Sequence, residues 1–507
     1  MRLFSAILIA LTIMSCTPKN QVTVNINTTD IVTENFIGNG VQLDPYPHAD
    51  TKDADWGLLM TPEKWARVYH RLDYMQPHFM RIVDQANWRY LKGFDKNNNP
   101  IIDFDTDEEK VLEQLLDYCE KNNITVLLGE WGVPYEVHDV DAGFSGILKG
   151  ANDPVWISMI VDHLDYLINT KGYTCIRYFN LVNEPNGDWS TVDGDYDQWR
   201  EGASMLAQAL RDKGLDKTVT IAGPDAVAHC DNHKSDYTGM EWIHQAADDL
   251  KDDMGALEIH AYLEAHIIRE GRIEIDYANL AEKAREVNLP ILFGELGTDR
   301  NSAENQARVA KDPYACEDSQ MDVYDFSYGI DMANATIQVM NTGFHGSAAW
   351  AADDAMHTLN DLGNKNEIKR WGFWNSLGTE LCNNPADEAI RPWFYTWSLT
   401  CRYIQPGSSI VKTEVLNCEG LRVVTAVNGK QVTIGIVNTT EADHNLTLNA
   451  DVASNALFQE FVYEENAYKV DAEEFPVAEQ NKLSFKQNQL DISVAANSFR
   501  LLTTYSF

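Results

Sequence analysis

No HxH or HExxH motif occurs in the 507 residues, and no GxGxxG opens a helix after a first apolar strand. The first absence removes clustered metallohydrolase ligands, and the second removes the dinucleotide fingerprint of a doubly wound sheet. Basic residues are scarce, 40 Lys and Arg against 77 Asp and Glu, giving a formal charge of −37 spread along the chain. Such a field repels polyanions, so nucleic acid is excluded as a partner, and neutral polysaccharides are favoured over acidic ones. Of eight cysteines, the seven after Cys16 are odd in number and form no CxxC pair, so neither a zinc site nor a disulfide framework is indicated. Spacing alone leaves open one local disulfide, such as Cys382 with Cys401. Beyond the N-terminus there is no run of about 20 apolar residues of the kind that spans a bilayer.

The N-terminus itself has a basic Met1-Arg2, an apolar run from Leu3 to Met14, then Ser15-Cys16. That order marks an export signal. Ile13-Met14-Ser15-Cys16 resembles the bacterial lipobox, which implies cleavage before Cys16, lipidation of Cys16 and attachment to the cell envelope, periplasmic or surface-facing. The alternative is an ordinary secretory signal in which the Cys is incidental. The expected membrane contact is through this anchor alone.

From 36 to 405 short apolar strands alternate with amphipathic helices, the pattern of parallel βα units. Strands are expected at Phe36–Leu43, His78–Val83, Ile124–Glu130, Ile176–Glu184, Thr218–Pro224, Leu257–Tyr262, Ile291–Glu295 and Gly346–Trp350. Eight is the number that closes a (β/α)₈ barrel. Thr61-Pro62, Thr106 with Glu109, and Asp153-Pro154 are helix-start signals between them. From 406 to 507 the pattern becomes alternating short strands with a hairpin signal at Asn428-Gly429, which reads as an antiparallel β-sandwich. Val22, Val24 and Ile26 alternate within the 17–35 segment, which is expected to lend that domain a strand.

Two carboxylates carry the chemistry. Glu184 closes Arg177-Tyr-Phe-Asn-Leu-Val-Asn-Glu-Pro185, and Glu295 closes Pro290-Ile-Leu-Phe-Gly-Glu295. Both stand where catalytic groups converge in a barrel, and glycosidic cleavage needs two carboxyl groups facing each other across the bond. Asn183-Glu184-Pro185 on the fourth strand, with Gly294-Glu295 on the seventh, resembles clan A glycoside hydrolases with a C-terminal β-domain. The families of β-xylosidases and iduronidases, and of glucosylceramidases and glucuronoxylanases, have that architecture. The first-strand Phe36-Ile-Gly-Asn-Gly40 matches their glycine motifs only loosely, so neither the family nor the sugar is assigned.

The resemblance implies a retaining hydrolase of β-glycosidic bonds that uses no cofactor and no metal. Glu184 would be the acid/base and Glu295 the nucleophile. Asn183 would bond the sugar 2-OH, Tyr262 would hold Glu295 ionised with His260 in support, and Trp350 would floor the reacting sugar. An inward Arg81 would also lower the Glu295 pKa. Less specific binders are Glu130, Trp131, Gln42, Asp44, Asp84, Trp88, Asp225, Asp353 and Asp354. The rival from another class is a non-catalytic glycan-binding lipoprotein on a degenerate barrel, which would require the loss of a carboxylate that is in fact present.

Overall fold

A computed structural model describes residues 20–46, 56–134, 147–359, 364–453 and 455–507. The signal segment and Cys16 lie outside the described residues. Eight parallel strands close a barrel: Gly38–Gln42, Phe79–Asp84, Thr125–Glu130, Ile176–Asn180, Thr220–Val227, Met254–Leu263, Ile291–Thr298 and Gly346–Ala349. They are numbered first to eighth below. The fold class expected from the sequence is therefore the one found, with strands in the expected order. The fourth strand is shorter than expected, ending at Asn180, because residues 181–187 leave the sheet in a series of turns.

The helix signals work as their chemistry requires. The Thr61 side chain accepts from Lys64 N ahead of helix Pro62–Met75, and Asp153 accepts from Val155 N ahead of Pro154–Asp165. Thr106 caps Asp107–Asn122 through Glu109 N, but the Glu109 carboxylate does not complete a capping box; it pairs with His163 Nε2 at 2.8 Å.

Alternation along the strands builds the barrel interior in layers. Its apolar floor is Phe79, Leu127, Ala222, Ala256, Leu292 and Ala348, in which alanines make room for the larger side chains. Two residues further along the same faces come Arg81 from the second strand, Glu258 and then His260 from the sixth, and Trp350 just past the eighth. Polar chemistry therefore sits directly on a dry floor.

The second domain is one nine-stranded sheet. It is antiparallel except where the N-terminal strand Asn20–Thr33, antiparallel to Ser409–Leu416, runs parallel to His444–Ala450. Asn428 pairs with Gln431, so the hairpin turn is Gly429-Lys430, with Gly429 at φ +61°. One face encloses Val24, Ile434, Ile436, Leu446 and Leu502. The other packs Val424, Phe461 and Phe499 against Ile330, Ile337 and Leu399 from helices Phe326–Thr342 and Trp393–Tyr403 of the barrel. Each fully buried aliphatic side chain of this seam contributes about 1.5–3 kcal/mol, which joins the two domains firmly. The seven described cysteines are all free, so Cys382 and Cys401 are not bridged.

Candidate active site

Strict alternation would point Glu295 outward beside Phe293, which packs among the barrel helices against Tyr277 and Phe344. The pairing register slips between Phe293 and Glu295, and this bulge at Gly294 turns Glu295 into the barrel. Asp225 enters the same way, through a slip between Pro224 and Ala226 and a left-handed backbone at φ +65°. Glu184 also has positive φ, +48°, at the turn that follows the fourth strand. A non-glycine residue in that region is costly, and such strain clusters at functional sites.

Arg81 is fully buried and ties these elements together. Its guanidinium donates to Glu295 Oε1 at 2.5 Å, Gln42 Oε1 at 2.5 Å, Asn183 Oδ1 at 2.6 Å and Asp225 Oδ2 at 2.9 Å. Burial opposes its charge, but Asp225 and Glu295 more than compensate and hold it protonated. Tyr262 donates its hydroxyl to Glu295 Oε2. Burial, with the Glu184 charge, raises the Glu295 pKa above its ordinary value, and His260, Arg81 and Tyr262 offset that rise only in part. Both Glu295 oxygens receive a donor, Arg81 on one and Tyr262 on the other, and these interactions favour the charged form against the cost of burial.

His260 lies at the centre. Its Nδ1 stands 2.9 Å from Glu184 Oε1 and 3.5 Å from Glu295 Oε2; its Nε2 stands 3.1 Å from Asp225 Oδ1 and 3.5 Å from Glu258 Oε1. Burial favours the neutral ring, but Glu295, Asp225 and Glu258 outweigh it and raise the His260 pKa well above its ordinary value. Asp225 is likewise penalised by burial yet held below the usual carboxylate range by Arg81 and His260. Carboxylate oxygens of Glu184 and Glu295 lie within 4.8 Å of each other. Glu184, His260 and Glu295, and also Asp225, Glu258 and His260, are spaced closely enough to hold a cation. Their cationic partners here are Arg81 and the imidazolium.

Trp189 was not anticipated. Its indole Nε1 donates to Glu184 Oε2 at 2.7 Å while the ring stays 47% exposed. A side chain at Gly187 would meet that ring at 2.4 Å, so the glycine makes room for the contact. Nothing in the sequence marks this Trp apart from its place just after Glu-Pro.

The other expected residues divide. Asn183 is in the site, held through its carbonyl by Arg81, and its amide nitrogen has no hydrogen-bond partner among the described residues. Trp350 is buried beside His357, ring centroids 5.3 Å apart, and His357 pairs with Asp44 at 2.7 Å. Gln42 bridges Arg81 to Asp44. Glu130 is turned away: its oxygens accept from Ala86 N and the Tyr90 hydroxyl, and burial, with the Asp84 charge, pushes its pKa up to about 8. Asp84 pairs with Arg89 at 2.7 Å in the same cluster. Trp131 is half-buried at the end of the third strand, and Trp88 is half-buried in the short helix Ala86–Arg89. Asp353 and Asp354 serve packing, receiving Tyr46 and Trp374 in one case and Arg391 with the Trp371 and Gly372 amides in the other.

A family model described as Cellulase (glycosyl hydrolase family 5) matches residues 168–341, a span that includes Glu184 and Glu295. Several solved structures share the fold. A GH30 endoxylanase from Clostridium papyrosolvens has TM-score 0.60 and 13% identity, covering 96% of this chain and 100% of its own. A GH39 β-xylosidase from Caulobacter crescentus has TM-score 0.58 and 13% identity, covering 96% and 99%. A family 51 α-L-arabinofuranosidase from Bifidobacterium longum has TM-score 0.62 and 11% identity, covering 96% and 99%. No curated protein sequence matches the chain. The likeness to clan A glycoside hydrolases read from Asn183-Glu184-Pro185 and Gly294-Glu295 is thus met by the family model and, at the level of fold, by the solved structures.

Proposed function

We propose that the chain is a retaining glycoside hydrolase cleaving β-glycosidic bonds of a neutral glycan. The observation that carries this is the approach of Glu184 and Glu295 oxygens to within 4.8 Å. Retaining enzymes hold their carboxyl groups about 5–5.5 Å apart, whereas inverting ones leave about 6.5–9.5 Å for a water.

In the first step Glu295 Oε attacks the anomeric carbon as the bond to the leaving oxygen breaks, and Glu184 gives that oxygen its proton. Arg81 and Tyr262 stabilise Glu295 while it is charged, and His260 and Trp189 orient Glu184. In the second step Glu184 takes a proton from water, the resulting oxygen attacks the same carbon, and Glu295 leaves as a carboxylate. The free amide of Asn183 suits a 2-OH whose hydrogen bond strengthens in the transition state. The xylan- and arabinose-directed enzymes among the structures of like fold make pentose polymers the first substrates to try. We further propose that lipidation at Cys16 tethers the enzyme to the cell envelope.

The test is hydrolysis of a panel of aryl β-glycosides and neutral β-glycans, with products resolved by size. Glu295→Gln is expected to lose turnover by at least about 10⁴-fold, in keeping with loss of a covalent nucleophile, with its melting temperature little changed. Near-normal activity in a folded Glu295→Gln protein would refute the assignment.

A further inference from the structure

Four carboxyl groups, those of Glu184, Asp225, Glu258 and Glu295, surround His260, and only Arg81 and His260 itself carry positive charge among them. A buried charge without a partner costs several kcal/mol. Three of the four, Asp225, Glu258 and Glu295, are buried with only two cations among them, so one of the three must be neutral. Glu295 has Arg81 and Tyr262 on its two oxygens. Asp225 has Arg81, the Asn180 amide at 2.5 Å and His260. Glu258 is wholly buried, and neither of its oxygens accepts a hydrogen bond. It is the member of the buried three that lacks donors, one of its oxygens lies within 4.8 Å of one of Asp225, and a neutral acid can donate.

Its placement is enforced. A side chain at Gly294 would put its first carbon 1.6 Å from Glu258 Oε1, so the glycine before Glu295 makes room for this carboxyl. Glu258 thus lies beneath both the bulge that turns Glu295 inward and the ring that faces Glu184.

We propose that Glu258 is a positioning residue of this site, a neutral acid that donates to Asp225 and thereby leaves the His260 Nδ1–H aimed at Glu184. The proposal rests on the glycosidase reading. With Glu258 neutral, the buried Asp225 and Glu295 carboxylates balance Arg81 and the His260 imidazolium. Burial, followed by the Asp225 charge, drives Glu258 in this direction, against His260 and Arg81.

The first test is infrared difference spectroscopy of wild type against Glu258→Gln at neutral pH. A protonated-carboxyl stretch missing from the variant is expected; no such band would overturn the proposal. This readout needs no activity, so a wild type inert on every glycoside would defeat the glycosidase reading without touching the Glu258 protonation state. The second is the pH profile of kcat/KM. Glu258→Gln removes no charge if the acid is already neutral, so the alkaline limb should stay in place. A fall of about one unit or more would mean that an ionised Glu258 had been lost, and would overturn the proposal. Glu258→Met, of similar length but without a donor, should have kcat at least about tenfold below Glu258→Gln at similar KM. Equal kcat in the two variants would make Glu258 packing alone. Should the Met variant not fold, the spectrum and the Gln profile still decide.

Discussion

Glu184 and Glu295 differ sharply in their surroundings. Glu295 is enclosed, with an arginine and a phenol on its oxygens, whereas Glu184 is partly exposed and touches an indole and an imidazole. If Glu184 is the acid, its loss matters most for poor leaving groups, since a phenolate of low pKa departs unaided. Glu184→Ala is therefore expected to be glycosylated by an activated aryl glycoside yet stall before hydrolysis. Azide, which needs no general base, should restore turnover and give a β-glycosyl azide; an α-azide would reverse the two roles. Much of this was legible at the residue scale. Asn183, Glu184, His260, Tyr262 and Glu295 stand at strand ends, and i, i+2 alternation places His260 and Tyr262 on one face. Trp189 was not legible, because a tryptophan in a turn carries no periodic signal. Glu130, Asp353 and Asp354 follow strands as well, but donors from other segments satisfy them, Ala86 and Tyr90 for Glu130, Tyr46 and Trp374 for Asp353, and Arg391 for Asp354.

At the scale of elements, the eight barrel strands follow the expected order, but the fourth ends early and the irregularities of the strands were not legible. The bulges at Gly294 and Asp225 set which carboxylates point inward, and a one-residue slip reverses the face. The strand Ser409–Leu416 was also unforeseen, since its Lys412 and Glu414 interrupt the apolar pattern. A second consequence of element packing concerns pH. His78 precedes the second strand and His345 precedes the eighth, and burial lowers both to about 4 from an ordinary 6.5. His345 Nδ1 accepts from Ile291 N at 3.3 Å, as a neutral ring must. Their folded pKa values lie below the unfolded ones, so the unfolded chain binds more protons between pH 4 and 6.5. Stability from these two groups is complete above about pH 6.5 and drains away as pH falls toward 4. The double variant His78→Asn/His345→Asn should lose less melting temperature than wild type over that interval; parallel curves would contradict this.

At the scale of the molecule, the barrel and the nine-stranded sheet share a seam, and the N-terminal strand is built into the sheet third from one edge. Cys16→Ser should move the protein from the membrane fraction to the soluble one, because a single lipid attachment is lost; unchanged fractionation would dismiss the anchor. No helix among the described residues is long and apolar enough to cross a membrane. The measurement that bears most directly on the whole account is proton NMR of the first sugar released from a β-glycoside, recorded before mutarotation. Two carboxylates this close leave no room for a water opposite the leaving group, so the β-anomer should form first. An α-anomer formed first would contradict the double displacement and with it the roles of Glu184 and Glu295.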